Sequence, residues 1–237
     1  MTARGLLLLA ATLAGMALTA RLGVWQLDRA AQKIALQQAI EQRGEAPPLP
    51  EAQLARDGEA AQAQVHRRAT VAGTWMPTFT VHLDNRQMDG HVGFDVLTPL
   101  RLDDGSVLLV QRGWRPRDFN DRTHLAPLPV PGGRVEITGR LALGPARLYE
   151  LGEPQPGPIR QNLDLAAFAR ETGLPLRPLM LLQTSASDDG LLRDWPRPAA
   201  DVQKHYGYAF RWFALCALIL ALHVWFRILR PRRQRRV

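Results

Sequence analysis

Residues 206–229, YGYAFRWFALCALILALHVWFRIL, decide the layout of this chain. Residues 212–222 are almost wholly apolar, and the stretch is long enough to cross a bilayer core, which takes about 20 helical residues. Tyr206, Tyr208 and Trp212 mark one interface, Trp225 and Phe226 the other, as aromatic rings do at headgroup depth. Arg227, Arg230, Arg232, Arg233, Arg235 and Arg236 follow, and such a cluster stays cytoplasmic. His223, deep in the stretch, reads as a polar residue facing another helix or the cytoplasmic interface.

A second apolar segment, GLLLLAATLAGMALTARLGVWQL, occupies residues 5–27. Residues 5–20 carry no charge, and Arg21 can snorkel to the interface. A cleaved signal peptide is the rival reading, with Arg4 as its basic start. A cut after Ala20 would put Leu18 at the −3 position, a poor match to the small residue required there, so the segment reads as a retained anchor. The expected plan is a short cytoplasmic N-terminus (1–4), a first span (5–27), an extracytoplasmic domain (28–205), a second span (206–229) and a cytoplasmic Arg-rich tail (230–237). Both termini are then cytoplasmic.

The formal charge of +8 invites a nucleic-acid reading, but its location argues otherwise. Residues 28–205 hold all 22 acidic residues and 21 of the 30 Lys and Arg, a net charge of −1. The basic excess sits beside the apolar segments, where it sets membrane topology. No nucleic-acid partner is expected; membrane lipids are. Cys216 is the one cysteine, so there is no intrachain disulfide, C-x-x-C metal pair or C-x-x-C-H haem attachment.

The middle reads mainly as strands. Residues 67–75, 79–86, 93–102, 106–114 and 134–143 are rich in β-branched and aromatic residues, and LMLLQTS (179–185) looks like a last buried strand. Asp103-Asp104-Gly105 is a hairpin signal, and Met88-Asp89-Gly90 reads as another. Pro47–Pro50 and residues 152–158 read as loops. In NLDLAAFARETG (162–173) a helix is expected, with Leu163, Ala166, Ala167 and Arg170 on one side and Gly173 as C-cap. The first part of the Ala/Gln/Glu-rich residues 28–64 extends the first span as helix. The fold class is a membrane protein of α+β type: two transmembrane helices flank a mainly antiparallel, barrel- or sandwich-like β-domain with one added helix.

No G-x-S-x-G, P-loop, G-x-G-x-x-G or H-E-x-x-H occurs. His66, His82, His91 and His124 stand singly without metal-ligand spacing, and each reads as a partly exposed polar residue. Asp84 and Asp89 read as turn residues. The chain is not expected to be an enzyme, although a membrane-anchored periplasmic enzyme with a dispersed triad stays open as a rival.

Several stretches carry a specific resemblance. They are LGVWQLDRAAQK (22–33), LDNRQMDGHVGFDVLTPL (83–100), VLLVQRGWRP (107–116), GRL (139–141), NLD (162–164) and KHYGYAFRWFAL (204–215), in that order. Together they resemble the surfeit-locus-one family of cytochrome c oxidase assembly factors over nearly the whole chain. The resemblance implies an inner-membrane protein that aids maturation of the oxidase catalytic subunit. Bacterial members are expected to bind haem a and help its insertion. Implied partners are cytochrome c oxidase subunit I and, further, haem a synthase. His205 matches the family's recurrent histidine at the head of the second span, and Tyr208-Ala209 and Trp212-Phe213 match its usual pairs. Where mitochondrial relatives carry a second His and an Asn, this chain has Lys204 and Gln203. No Arg-rich transit peptide precedes residue 5, and only two basic residues are Lys; both point to a bacterial source.

On a helix His205, Tyr208, Ala209, Trp212 and Cys216 share one stripe. Two readings follow. In the first, His205 is a haem-iron axial ligand, small Ala209 leaves a slot for the ring, Trp212 lines its edge and Arg211 meets a propionate. In the second, all are an interfacial collar. The resemblance implies the first. Trp25, Arg29, Arg86, Arg112 and Trp114 recur in the matching stretches as partner-binding or structural residues, with Arg112 expected to pair with Asp84 or Asp95. An interaction scaffold that binds no cofactor is the remaining alternative.

Overall fold

The structure is a computed structural model that describes residues 3–118, 121, 125–149, 157–196, 199 and 201–230. His124, most of the 152–158 stretch and the tail arginines after Arg230 lie outside the described residues. The chain forms two compact units. One contains the N-terminal residues to Gln38 and those from Arg197 onward; the other is Ala39–Pro196.

Helix α1 runs unbroken over Ala3–Glu45, about 65 Å at 1.5 Å per residue. It outruns the 5–27 segment because good helix formers follow: no glycine intervenes between Gly23 and Gly44, and no proline comes before Pro47. Helix α4 spans Val202–Val224 and ends in a π-helical turn, Trp225–Leu229. Both helices are long and apolar enough to cross a membrane. Only 11% and 6% of their most apolar windows are buried, unlike the core helix of a soluble domain.

In the other unit the strands are β1 (Leu49–Pro50), β2 (Arg68–Trp75), β3 (Val81–Met88), β4 (His91–Leu102), β5 (Val107–Pro116), β6 (Arg134–Ala142), β7 (Ile159–Arg160) and β8 (Leu176–Gln183). Helices α2 (Gly58–Gln64) and α3 (Leu165–Thr172) complete it. The sheet order is β1-β2-β6-β8-β5-β4-β3-β7, and β2 also pairs with β4. That extra pairing joins β2, β6, β8, β5 and β4 into a closed ring, so the domain is barrel-like. Most pairings are antiparallel, but β8 lies parallel to β5, because the chain crosses over through β7 and α3 before returning between β5 and β6.

Closure depends on β4. Its register against β5 shifts between Val96 and Leu97, which face Gly113 and Gln111. Arg112 is the extra residue of this bulge, and a bulge bends and twists a strand. Beyond it the end of β4 reaches β2, pairing Gly73–Trp75 with Leu100–Leu102. Gly73 permits this crossing: any Cβ there would run into the Arg101 carbonyl oxygen.

Strands β4, β5 and β8 read as continuous apolar runs because both their faces are covered. Val71, Leu100, Leu108, Val110, Leu179 and Leu181 belong to one core. Leu97, Leu109 and Met180 turn to the opposite face and pack with Leu83, Leu163 and Phe168. The Asp89-Gly90 hairpin has positive φ at both turn residues, 50° and 79°, the geometry that matches strand twist. Helix α3 is capped by the Asp164 carboxylate, which accepts from the Ala167 amide. Its packed face differs from the expected one: Ala166, Ala167 and Arg170 are exposed, whereas Phe168 is buried. The one large ring of the helix turns toward the core because its burial removes the most apolar area from water.

Candidate functional site

The two long helices run antiparallel, and their contacts follow one ladder. Thr12 Oγ1 lies 2.9 Å from His223 Nδ1. Cys216 Sγ lies 3.5 Å from the Met16 carbonyl, and Ile219 lies beside Gly15. A Cβ on Gly23 would sit 2.7 Å from the Phe213 ring, so this glycine admits the ring against the α1 backbone. His223 therefore faces the first apolar helix.

His205 occupies the ladder's last rung. Its Nδ1 lies 2.7 Å from Gln26 Oε1. A carbonyl oxygen only accepts, so Nδ1 carries the hydrogen and donates it. Nε2 then keeps its lone pair, and the hydrogen bond found for His205 among the described residues is the one at Nδ1. A fixed tautomer with a bare Nε2 is the state in which imidazole ligates a metal. Among the described residues no group of three or more His, Cys, Asp or Glu side chains could hold a metal ion.

The other predicted residues of this stretch are placed as follows. Trp212 is half-buried and Arg211 exposed, with its guanidinium 5.4 Å from the Tyr208 ring. Ala209 is only 3% exposed. Its small side chain is covered rather than open to solvent. On α1, Trp25 is 48% exposed, and Arg29 donates to Gln32 Oε1 at 3.1 Å.

Arg86, Arg112 and Trp114 belong to the barrel domain. Arg86 is buried, its Nη1 and Nη2 donating at 2.8 Å to the carbonyls of Ala146 and Gln161. Its Nε lies 3.8 Å from Asp95. Trp114 is buried and donates from Nε1 to the Arg86 carbonyl at 3.1 Å. Arg112 does not pair with Asp84 or Asp95. As the bulge residue it turns inward, fully buried, to Asp189 at 2.9 Å, with its guanidinium 4.8 Å from the Trp75 ring. Asp84 instead lies 3.6 Å from Arg117.

His82 also departs from expectation. It is 6% exposed, edge-on to Phe94 at 6.0 Å, and neither ring nitrogen has a hydrogen-bond partner among the described residues. Burial, with the nearby Arg115 charge, lowers its pKa from 6.5 to about 4. Burial raises Asp95 from 3.8 to about 6, partly offset by Arg86.

Sequence reasoning missed Gln26, Asp95 as a buried carboxylate, and Asp189. Gln26 does sit inside the LGVWQLDRAAQK stretch, between Trp25 and Arg29, and that proximity is its one available signal.

Comparison with known proteins gives a consistent answer. The sequence model described as the SURF1 family matches residues 13–217. A SURF1-like protein of Mycobacterium tuberculosis is 36% identical over 124 residues, covering 51% of this chain and 44% of that protein. A Mycobacterium bovis relative matches to the same extent; the chain thus spans less than half the length of these mycobacterial relatives. A SURF1-like protein of Rickettsia bellii is 23% identical over 208 residues, covering 85% and 83% of the two chains.

Proposed function

Because this chain belongs to the SURF1 family, which is linked to cytochrome c oxidase assembly, we propose that it is a bacterial inner-membrane assembly factor that carries haem a to the catalytic subunit of the oxidase. Both long helices span the membrane in this reading, with both termini cytoplasmic and the barrel domain periplasmic. The partners are cytochrome c oxidase subunit I, as acceptor, and haem a synthase, as donor. The chain performs no catalysis; it holds a cargo.

One observation carries the haem reading: the His205 Nε2 lone pair, left open by the Gln26 bond to Nδ1. A haem iron takes such an imidazole as axial ligand. Arg211, exposed on α4, supplies a guanidinium for a propionate, and half-buried Trp212 supplies aromatic surface. The buried state of Ala209 favours a second reading, in which the helix pair is a closed scaffold that grips the nascent subunit without cofactor.

Haem content separates the two. Full-length protein, co-expressed with haem a synthesis and purified in detergent, should show a haem a absorption spectrum that His205→Ala loses while helix content stays unchanged. Equal haem in wild type and variant, or none in either, overturns the cargo reading and leaves the scaffold. Co-purification of subunit I with both proteins supports either assembly reading; its absence from both counts against them.

A further inference from the structure

The barrel domain contains a cavity of about 610 Å³ that none of the foregoing uses, a volume in the range of small-molecule sites. Strands β4, β5, β8 and β6 contribute Asp95, Gln111, Met180, Leu182, Arg140 and Ala142 to its wall. Met180 and Leu182 alternate along β8 with Leu179 and Leu181, which fill the barrel core. The cavity therefore lies on the outer face of the sheet.

Strand register orders that face. Arg68 of β2 stands directly opposite Arg140 of β6. Arg140 stands opposite Leu182 of β8, and Leu182 beside Gln111 of β5. Two residues along, Ala142 stands opposite Met180. Residues directly opposite share a face, with Cβ atoms about 4.5–5.5 Å apart. The row thus begins with two adjacent arginines and continues over an apolar floor, of which Met180 and Leu182 are themselves buried.

Charge is balanced at one end of the cavity and not at the other. Asp95 lies 3.8 Å from Arg86, one anion for one cation. Arg68 and Arg140 have no carboxylate partner among the described residues. Arg140 meets His66 Nδ1 at 3.5 Å. That contact takes one of its five N–H groups and brings no negative charge. Burial first, then the charges of Arg140 and Arg43, lower the His66 pKa, so the ring is neutral. On this face of β2 and β6 the one carboxylate is Glu136, four residues from Arg140, about 13 Å along the strand. Like charges directly opposite one another are unfavourable. Half-buried Arg140 has also lost part of its hydration, which raises the cost of leaving it without a counter-charge.

We propose that this cavity binds an anionic amphiphile, a carboxylate on a short apolar chain. The carboxylate sits on Arg140 with Arg68 alongside, and the chain covers Leu182, Met180 and Ala142. A guanidinium and a carboxylate match in two parallel N–H···O bonds. An uncharged chain leaves the arginine pair uncompensated, and a cationic one adds a third positive charge beside it. A carboxylate without a chain leaves the apolar floor in contact with water.

The test is calorimetric titration of the full-length protein in detergent at pH 7.5, with titrations into detergent alone subtracted. The probes are hexanoate, hexan-1-ol, hexylammonium and acetate. Hexanoate should bind at least about tenfold more tightly than each of the others. Arg140→Gln should remove its advantage over hexan-1-ol. Arg68→Gln, at an exposed position, should weaken hexanoate by about two- to fivefold. Hexan-1-ol or hexylammonium binding as tightly as hexanoate overturns the proposal, and so does acetate doing so. No binding of hexanoate up to concentrations on the order of 10 mM overturns it as well, as does an Arg140→Gln protein that keeps the preference. If Arg140→Gln fails to fold, Arg68→Gln and the wild-type probe ranking decide. The site shares no residue with the His205 helix pair, so this proposal and the haem reading fail separately.

Discussion

At the scale of the residue, His205 owes its state to Gln26. An unrestrained imidazole exchanges its proton between two nitrogens and rotates; one bound at Nδ1 to a carbonyl does neither. Orienting partners of this kind change ligand affinity by about 10–100-fold. Gln26→Leu should therefore weaken haem a binding by at least about tenfold, while Gln26→Glu, whose carboxylate also accepts from Nδ1, should restore it. Absorption titration with haem a measures both. If Leu and Glu weaken binding alike, Gln26 serves only helix packing. His205 was legible in the sequence as an imidazole beyond what topology requires. Gln26 was not, because 179 residues separate it from its partner and no local periodicity marks it. Ala209 was legible as a small residue in a helix stripe, but whether a small residue opens a slot or lets a neighbour close in depends on that neighbour.

At the scale of the element, the β4–β5 bulge turns Arg112 into the protein, where Asp189 meets it. Asp189 also binds Arg193 at 2.6 Å, so one carboxylate compensates two guanidiniums. Removing one partner from a buried ion pair costs about 3–5 kcal/mol. Asp189→Ala should lie at the upper end, because it strands both cations. Arg112→Met should cost less, because it fills similar volume and leaves Asp189 with Arg193. Urea unfolding followed by tryptophan fluorescence gives the comparison; equal midpoints for the two variants would refute this account of the pair. The strand itself was legible from VLLVQRGW, and so was the oddity of an arginine inside an apolar run. Its partner was misread because a bulge reverses which face a side chain takes, and nothing local announced the bulge.

At the scale of the whole molecule, two buried titrating groups act on stability in opposite directions. His82 is held near 4 rather than 6.5. The unfolded chain takes up its proton first, so stability falls as pH drops from 6.5 to 4, by roughly 3 kcal/mol. Asp95 is held near 6 rather than 3.8. The folded chain takes up that proton first, so its contribution is complete below 3.8 and is lost as pH rises through 6, again by roughly 3 kcal/mol. Across the same window the two nearly cancel. Thermal melts between pH 4 and 6.5 should then show His82→Leu gaining stability toward acid relative to wild type, and Asp95→Asn losing it. Parallel curves for the two variants would sink this prediction. By itself the sequence determined the two apolar helices, the six long strands, both hairpins and the family, because each is written in local composition, period or turn chemistry. The tertiary structure alone decided that β2 reaches β4 to close a barrel, that β8 returns parallel to β5, and that Gln26 holds His205. A local pattern states which face of a segment avoids water; which distant segment covers that face follows only from how the elements pack together.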